Sequence, residues 1–260
     1  MNIFQIIILS IIEGLTEFLP VSSTAHLIVA SKILNITQNN FHKLFEVFIQ
    51  SGAILAVIFL YRETLFKNKK ILINIFFAFI PTAFFGFLFY KIIKNIFFES
   101  LNLIVFSLIF GGIIFILIEI LNAKKKIILA KENDQMIIKE ALLIGFFQSF
   151  AIVPGVSRAG AVMIGMMILG FKREESAIFS FLLAVPTIFS ASFFDLYKNK
   201  EILFMGEGQF FTLFLGAFFS FIFALSAVKF FISFLKKKNL IVFGLYRIIL
   251  AIIILLLALP

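Results

Sequence analysis

An all-α integral membrane protein built as an inverted-topology repeat is what this sequence predicts, on three observations. Of its 260 residues, 62% are hydrophobic and the mean hydropathy is +1.13, against about 45–50% apolar residues in soluble domains. Runs such as Leu101–Leu121 and Leu240–Leu259 reach the ~20 apolar residues that cross a bilayer as a helix. And the chain reads as two halves. Pro20 and Ser23 match Pro154 and Ser157 at an offset of 134, and Phe45 and Tyr61 match Phe181 and Tyr197 at 136. Lys91 matches Lys229 at 138, and "LIVF" at Leu103–Phe106 recurs at Leu240–Phe243. One match is weak in so biased a sequence. Four in order at a nearly constant offset argue for duplication.

Each half carries four segments, at about 2–34, 43–61, 71–94 and 101–121, then about 137–170, 176–196, 209–235 and 240–259. The first repeat is about 1–121, a polar linker about 122–136, and the second repeat about 137–260. The first segment of each half has a polar centre around a proline. That suits a helix–loop–helix hairpin that enters and leaves on one side, an irregular backbone that a membrane tolerates inside protein or beside a cavity. Charge decides between hairpins and spans. If both first segments are re-entrant, the Lys and Arg residues of the connections split 14 to 6 between the two faces; if both span, 11 to 9. Cytoplasmic loops concentrate Lys and Arg, which favours the lopsided answer. About six transmembrane helices plus two re-entrant hairpins result. Three spans per half invert the second half relative to the first, put both termini outside, and bring the hairpin tips together near the midplane.

The remaining composition excludes several classes. No Lys or Arg precedes Lys32, and Glu13 and Glu17 interrupt the first apolar run, so no cleavable leader is expected. The absence of cysteine removes disulfides and thiolate metal sites. The net charge of +9 reads as cytoplasmic loops and not as a nucleic-acid footprint. Forty Phe and no Trp are put down to base-composition bias.

Polar residues concentrate in "EGLTEFLPVSSTAHL", Glu13–Leu27. Glu13 and Glu17 stand at i and i+4, on one helix face. Ionisable residues inside a bilayer mark functional sites by default. Two adjacent carboxylates need a shared proton, a divalent cation or an Arg; carboxylates with water and a substrate phosphate are how Mg²⁺ is held, and Ca²⁺ also takes oxygen ligands. Ser22 suits the N-cap of a helix running to about Leu34, whose free N–H groups and dipole would bind a phosphate. Ser23 and His26, at i and i+3, would face one site as hydroxyl and imidazole, the minimum set for an activated nucleophile. In "PGVSRAG", Pro154–Gly160, Arg158 offers a planar fork that fits a phosphate. Plainer readings stand beside these: a Glu pair at a watery mouth, a capping Ser22, a His26 satisfied by a carbonyl, an Arg158 that only neutralises a carboxylate, and glycines that only pack.

"EGLTEFLPVSSTAHL" together with "PGVSRAGAVMIGMMILGFKREESAIFSFLLAVP" closely resembles the undecaprenyl-diphosphatase, or bacitracin-resistance, family. The resemblance covers nearly the whole chain, including "FEVFIQSGAILAV" at Phe45–Val57 and "DLYK" at Asp195–Lys198. It implies a multi-pass plasma-membrane phosphatase that hydrolyses undecaprenyl diphosphate to undecaprenyl phosphate and phosphate. It also implies an inverted repeat with re-entrant hairpins, an active site open to the outer side, and a divalent cation (Mg²⁺ or Ca²⁺) as cofactor. By motif, the family's glutamates fall on Glu13 and Glu17, which are also the expected metal ligands. Its nucleophilic serine falls on Ser23, its histidine on His26, and its phosphate-binding pair on Ser157 and Arg158. Ser22 and Thr24 are taken as further phosphate contacts, and Gln50 matches a polar position in the third motif-like stretch. The family usually reads PGxSRSG; here Ala159 takes the place of that Ser. The expected partners are a polyprenyl diphosphate and membrane lipids, with no nucleic acid; a homodimer is among the open assembly states.

Two routes stay open: attack by Ser23 aided by His26, or attack by water. A transporter or flippase of a phosphorylated lipid would use the same Arg and helix ends, but binding alone does not require Ser23, His26 and paired glutamates. A structural scaffold leaves Glu13, Glu17 and Arg158 without a purpose.

Overall fold

The computed structural model describes residues 1–92, 100–201 and 208–258. Lys94 and the side chain of Lys91, both used in the sequence reading, lie outside the described residues, as does the last residue of the 240–259 run. Eleven helices follow one another among the described residues: α1 (Ile3–Thr16), α2 (Ser23–Ile33), α3 (Asn40–Leu60), α4 (Arg62–Lys67), α5 (Lys69–Ile92), α6 (Leu101–Ala123), α7 (Ile138–Ser149), α8 (Arg158–Ile168), α9 (Arg173–Lys198), α10 (Gln209–Leu235) and α11 (Ile241–Ala258). Five of them, α3, α5, α6, α9 and α10, are long and apolar enough to cross a membrane; α11 is a shorter apolar helix. The protein is an all-α, multi-pass membrane protein. The short α4 was not foreseen; Glu63 in its first turn and Lys67 in its last suit a helix dipole.

The two polar-centred segments fold back on themselves. Asn2 and Gln5 close a capping box at the start of α1. The same Gln5 reaches the carbonyl of Leu34 at 3.2 Å, so the start of α1 meets the end of α2. In the second hairpin Ala130 and Lys131, just ahead of α7, donate their N–H groups to Gly170 O, just past α8. Entry and exit of each hairpin therefore lie side by side, as expected.

Several helix pairs recur when the first and second halves of the chain are exchanged, although α8 on α9 and α1 on α3 have no counterpart of similar extent. α1 packs on α10 as α7 packs on α5; α3 meets α10 as α9 meets α5; α3 pairs with α9, and α6 with α11. Lipid tails are as apolar as Leu, so membrane helices associate through close approach at small residues. A Cβ on Gly14 would come within 2.4 Å of Ser220 O on α10, and one on Gly145 within 2.0 Å of Ala78 O on α5. Larger residues at these two places would push each hairpin off its supporting helix. The buried core lies where α3, α8 and α9 meet; there Phe18 and Phe181 sit edge to face, 5.3 Å between centroids. Phe76, Phe84, Phe87, Phe106, Phe211 and Phe214 point outward from the apolar helices, as side chains against lipid would.

At the end of the bundle opposite the α2–α3 connection, the linker is clasped to the α8–α9 turn. Lys131 pairs with Phe171 in a single parallel bridge, and Lys172 N–H donates to Lys131 O at 3.0 Å. Arg173 grips buried Glu119 with two hydrogen bonds, one of them 2.7 Å from Nε to Oε1. Glu119 Oε1 also accepts from Leu240 N at 3.0 Å, tying the end of α6 to the start of α11.

Candidate active site

The two hairpin tips meet, and the repeat correspondence shifts by one residue there. Ser22 and Ser157 are both N-caps with positive φ, 71° and 70°, and each side chain accepts an N–H three residues on: Ala25 N at 3.4 Å and Gly160 N at 3.1 Å. The counterpart of Ser157 is thus Ser22, and Ser23 corresponds to Arg158. This corrects the match of Ser23 to Ser157. The second tip holds one extra residue, Gly155 at φ +90°, which the sequence alignment from the prolines did not accommodate. Two equivalent first-helical positions therefore carry the site's hydroxyl and its guanidinium.

Glu17, the C-cap of α1, joins them. Ser23 Oγ donates to Glu17 Oε2 at 2.6 Å, and Arg158 Nη2 donates to Glu17 Oε1 at 3.2 Å. Arg158 Nη1 is held by Ser180 O on α9 at 2.8 Å, and the guanidinium lies over the Phe18 ring. One turn back on α1, Glu13 is 0% exposed. Both Glu13 carboxylate oxygens and Arg158 Nε are buried with no hydrogen-bond partner among the described residues. Two acceptors and a donor left bare in one site are costly, each worth about 1–3 kcal/mol or more when charged. They are the atoms that a cation and an anionic ligand would satisfy.

His26 does not stand on Ser23. Its Nδ1 is 2.7 Å from Ser22 O, a carbonyl, so Nδ1 carries the proton; Nε2 is 2.7 Å from the Tyr246 hydroxyl, which then donates to it. The two rings stack with an interplanar angle of 4°. The group that accepts from the Ser23 hydroxyl is Glu17, and His26 belongs to a separate pair with Tyr246. Thr24 is the second residue of α2, where a helix leaves its N–H free. Ser157 uses its hydroxyl oxygen as a cap and keeps its proton to donate. Gln50 lies half-buried on α3 and is not hydrogen-bonded to any of the site residues. Ala159 is fully buried in α8.

The sequence reading missed two residues of α11. Arg247 is 0% exposed. Its guanidinium donates to five carbonyls: Leu108 and Ser107 on α6, Gly155 and Val156 in the second tip, and Pro20 in the first, at 2.9–3.3 Å. It joins the tips from behind while Arg158 and Glu17 join them in front. The signal was present: Arg247 is the lone charge in Leu240–Leu259, and an ionisable residue in such a run is a functional candidate by default. Tyr246, its neighbour, had no such signal.

A divalent cation has candidate ligands in Glu13, with both oxygens bare, and in Glu17 beside it. Substrate oxygens and water would complete the shell that Mg²⁺ or Ca²⁺ takes. Among the described residues no third His, Asp or Glu joins this pair, so the protein would supply two carboxylates and the substrate and water the rest.

The chain is 49% identical over 253 residues to an undecaprenyl-diphosphatase of Wolinella succinogenes, covering 97% of each chain. It is 48% identical to one of Persephonella marina over 98% of this chain and 99% of the relative. With one of Methanococcus aeolicus it shares 40% over 98% of both. The family model described as bacitracin resistance protein BacA matches residues 6–253, a span that takes in both hairpins, Glu13, Glu17, Ser23, Arg158 and Arg247 alike, and the chain belongs to that family.

Proposed function

We infer that this protein is an undecaprenyl-diphosphatase, a membrane hydrolase that releases phosphate from undecaprenyl diphosphate and returns the monophosphate carrier to cell-wall synthesis, conferring bacitracin resistance. The observation that carries the reading is the trio of bare buried atoms, Glu13 Oε1 and Oε2 and Arg158 Nε, beside a hydroxyl already donating to a carboxylate. The substrate is a lipid, and the site's apolar surroundings suit a polyprenyl chain.

In the mechanism, Arg158 binds the terminal phosphate through Nε and its remaining N–H groups, helped by Ser157 and by the free N–H groups at the starts of α2 and α8. The phosphate competes with Glu17 for Arg158. Glu17 is thereby released to take the Ser23 proton as Oγ attacks phosphorus. The P–O bond to the bridging oxygen breaks, undecaprenyl phosphate leaves, and water then hydrolyses the phosphoserine. In the rival route water attacks directly and Ser23 only orients it. Glu13 and Glu17 would hold a divalent cation such as Mg²⁺ or Ca²⁺, which would supply charge neutralisation of the phosphate oxygens. His26, oriented by Ser22 and Tyr246, presents a neutral imidazole at the rim.

The same proposal places the chain in the plasma membrane with both termini and the site opening outside. The charge split supports this, as the recurring helix pairs support two repeats joined near residues 122–136. The test is phosphate release by purified protein in detergent from undecaprenyl or farnesyl diphosphate with Mg²⁺ or Ca²⁺, with and without EDTA. Metal-dependent release lost in Glu17→Ala and Arg158→Ala is expected; lipid bound without release would overturn the hydrolase. Ser23→Ala with full turnover would remove the serine route.

A further inference from the structure

The second hairpin carries a buried amide that the mechanism above does not use. Gln148, in the last turn of α7, is 1% exposed. Its Nε2 donates to threonines on two different helices, Thr82 Oγ1 on α5 at 2.8 Å and Thr187 Oγ1 on α9 at 3.2 Å. Its Oε1 is buried with no hydrogen-bond partner among the described residues. An orphaned buried oxygen is costly, so an apolar side chain of the same length would serve packing as well or better. What the amide adds is the pair of N–H bonds.

Each of these threonines follows a proline inside a long apolar helix, Pro81 in α5 and Pro186 in α9. A proline there takes the helical donor from the carbonyl four residues back, Phe77 or Leu182, and its ring crowds that carbonyl, so the helix bends most easily at that point. Thr187 spans its break by donating to Leu183 O at 2.8 Å. Thr82 instead donates across to Gly145 O of α7 at 3.1 Å. A Cβ on Gly145 would lie 3.0 Å from Pro81 Cδ, so α7 runs directly against that break. Gln148 therefore bonds the second hairpin to both weak points at once.

The same hairpin presents Arg158, at the start of its other arm. The two arms are closely packed: a Cβ on Gly165 of α8 would come within 2.8 Å of the ring of Phe147, the neighbour of Gln148. Arg158 Nη1 is held by Ser180 O of α9 at 2.8 Å. Ser180 stands two helical turns before Thr187, about 10 Å along the axis. The hairpin is thus fastened to α9 on both sides of Pro186, by Arg158 at Ser180 and by Gln148 at Thr187. We propose that Gln148 is a positioning residue for Arg158: by tying both proline breaks to the second hairpin, it keeps Ser180 O and the hairpin tip in the relation that presents Arg158 to the phosphate. This rests on the reading of Arg158 as the phosphate-binding residue given under Proposed function.

The experiment is a double-mutant cycle on kcat/KM for phosphate release from farnesyl diphosphate by the full-length protein in detergent, with the thermal midpoint of each variant. Gln148→Met keeps the shape and removes the amide; it is made in the parent and in Arg158→Lys. A small displacement of a positioned group can cost about 100-fold, so Gln148→Met is expected to lose about 10–100-fold with its thermal midpoint near the parent's. Because it acts through the Arg158 fork, it should cost less than about twofold more in the Arg158→Lys background. Thr187→Val, which removes the acceptor on α9, should show the same dependence on Arg158 and carries the cycle if Gln148→Met does not fold. A Gln148→Met enzyme within about twofold of the parent, or one that loses the same factor in both backgrounds, would overturn the positioning role and leave the reading of Arg158 standing. Parental turnover in Arg158→Lys would overturn that reading and this inference with it.

Discussion

Ser22 and Ser157 hold the same unusual backbone conformation, φ 71° and 70°, and each stands one residue before a side chain bonded to Glu17, Ser23 and Arg158. A residue other than glycine at positive φ is strained by about 1–2 kcal/mol, and its capping hydrogen bond offsets much of that. The pair can be separated by substitution. Ser157→Ala keeps the strain and loses the cap, and should cost about 1–2 kcal/mol. Ser157→Gly loses the cap and the strain together, and should leave the thermal midpoint near the parent's. Thermal unfolding in detergent checks it; a glycine variant less stable than the alanine variant would show that φ is not the constraint.

Arg247 is expected to be a structural clamp whose loss disables the site from behind. Removing it strips a charged donor from five carbonyls, Leu108, Ser107, Gly155, Val156 and Pro20. Each buried unsatisfied group costs about 1–3 kcal/mol, though relaxation will spare part of the sum. Arg247→Met should lower stability by at least about 3 kcal/mol and abolish turnover. Gly111→Ala offers an independent approach to the same clamp. Its Cβ would lie 2.5 Å from Arg247 Nη2, so it should lower both the thermal midpoint and phosphate release without touching Glu13 or Glu17. Normal turnover in Gly111→Ala would mean that the guanidinium can move without disturbing the tips.

Most of this architecture was legible because a membrane restricts what a chain can do. The hydropathy runs gave six spans, of which five are long enough to cross a membrane and the sixth, α11, is shorter, and the polar centres around Pro20 and Pro154 gave the hairpins. Residues whose chemistry is intrinsic, Glu13, Glu17, Ser23 and Arg158, were found because a charge or capping hydroxyl has few excuses in an apolar run. What failed was pairing. Ser23 lies three residues from His26, a spacing that puts both on one helix face, yet that face also meets the end of α1. A carboxylate accepts the Ser23 proton there, and the carbonyl of Ser22 takes His26 Nδ1. Helix periodicity says what shares a face; it does not say what arrives from another element. Tyr246, 220 residues from His26, and the one-residue slip absorbed by Gly155 were hidden for the same reason.

Tyr246 should tune His26 without being required for the fold. Its hydroxyl donates to Nε2 while its ring stacks on the imidazole. Tyr246→Phe keeps the stack and removes one hydrogen bond, a net change of about 0.5–1.5 kcal/mol. That corresponds to about a 2–10-fold fall in kcat/KM, with the thermal midpoint unchanged. Steady-state phosphate release decides it, and kinetics identical to the parent's would leave the Tyr246 hydroxyl without a role in the reaction.

Arg158 and Glu17 should prove coupled and not additive. Arg158→Lys replaces a planar fork by a point charge. It cannot reach both Ser180 O and Glu17 as the guanidinium does, and it offers nothing in place of Nε. Removing one donor from a site of this kind costs about 10²–10³ in rate, and a loss of that size is expected. Glu17→Gln leaves one neutral acceptor oxygen where Ser23 and Arg158 use two, and it cannot take a proton, so it should cost at least as much. The informative measurement is kcat/KM of the double variant. If substrate phosphate displaces Glu17 from Arg158 on binding, the two residues act as one unit. The double variant should then be about as slow as the slower single. Losses that multiply would mean that Arg158 binds phosphate and Glu17 takes the Ser23 proton independently, and would remove the competition between phosphate and carboxylate from the mechanism.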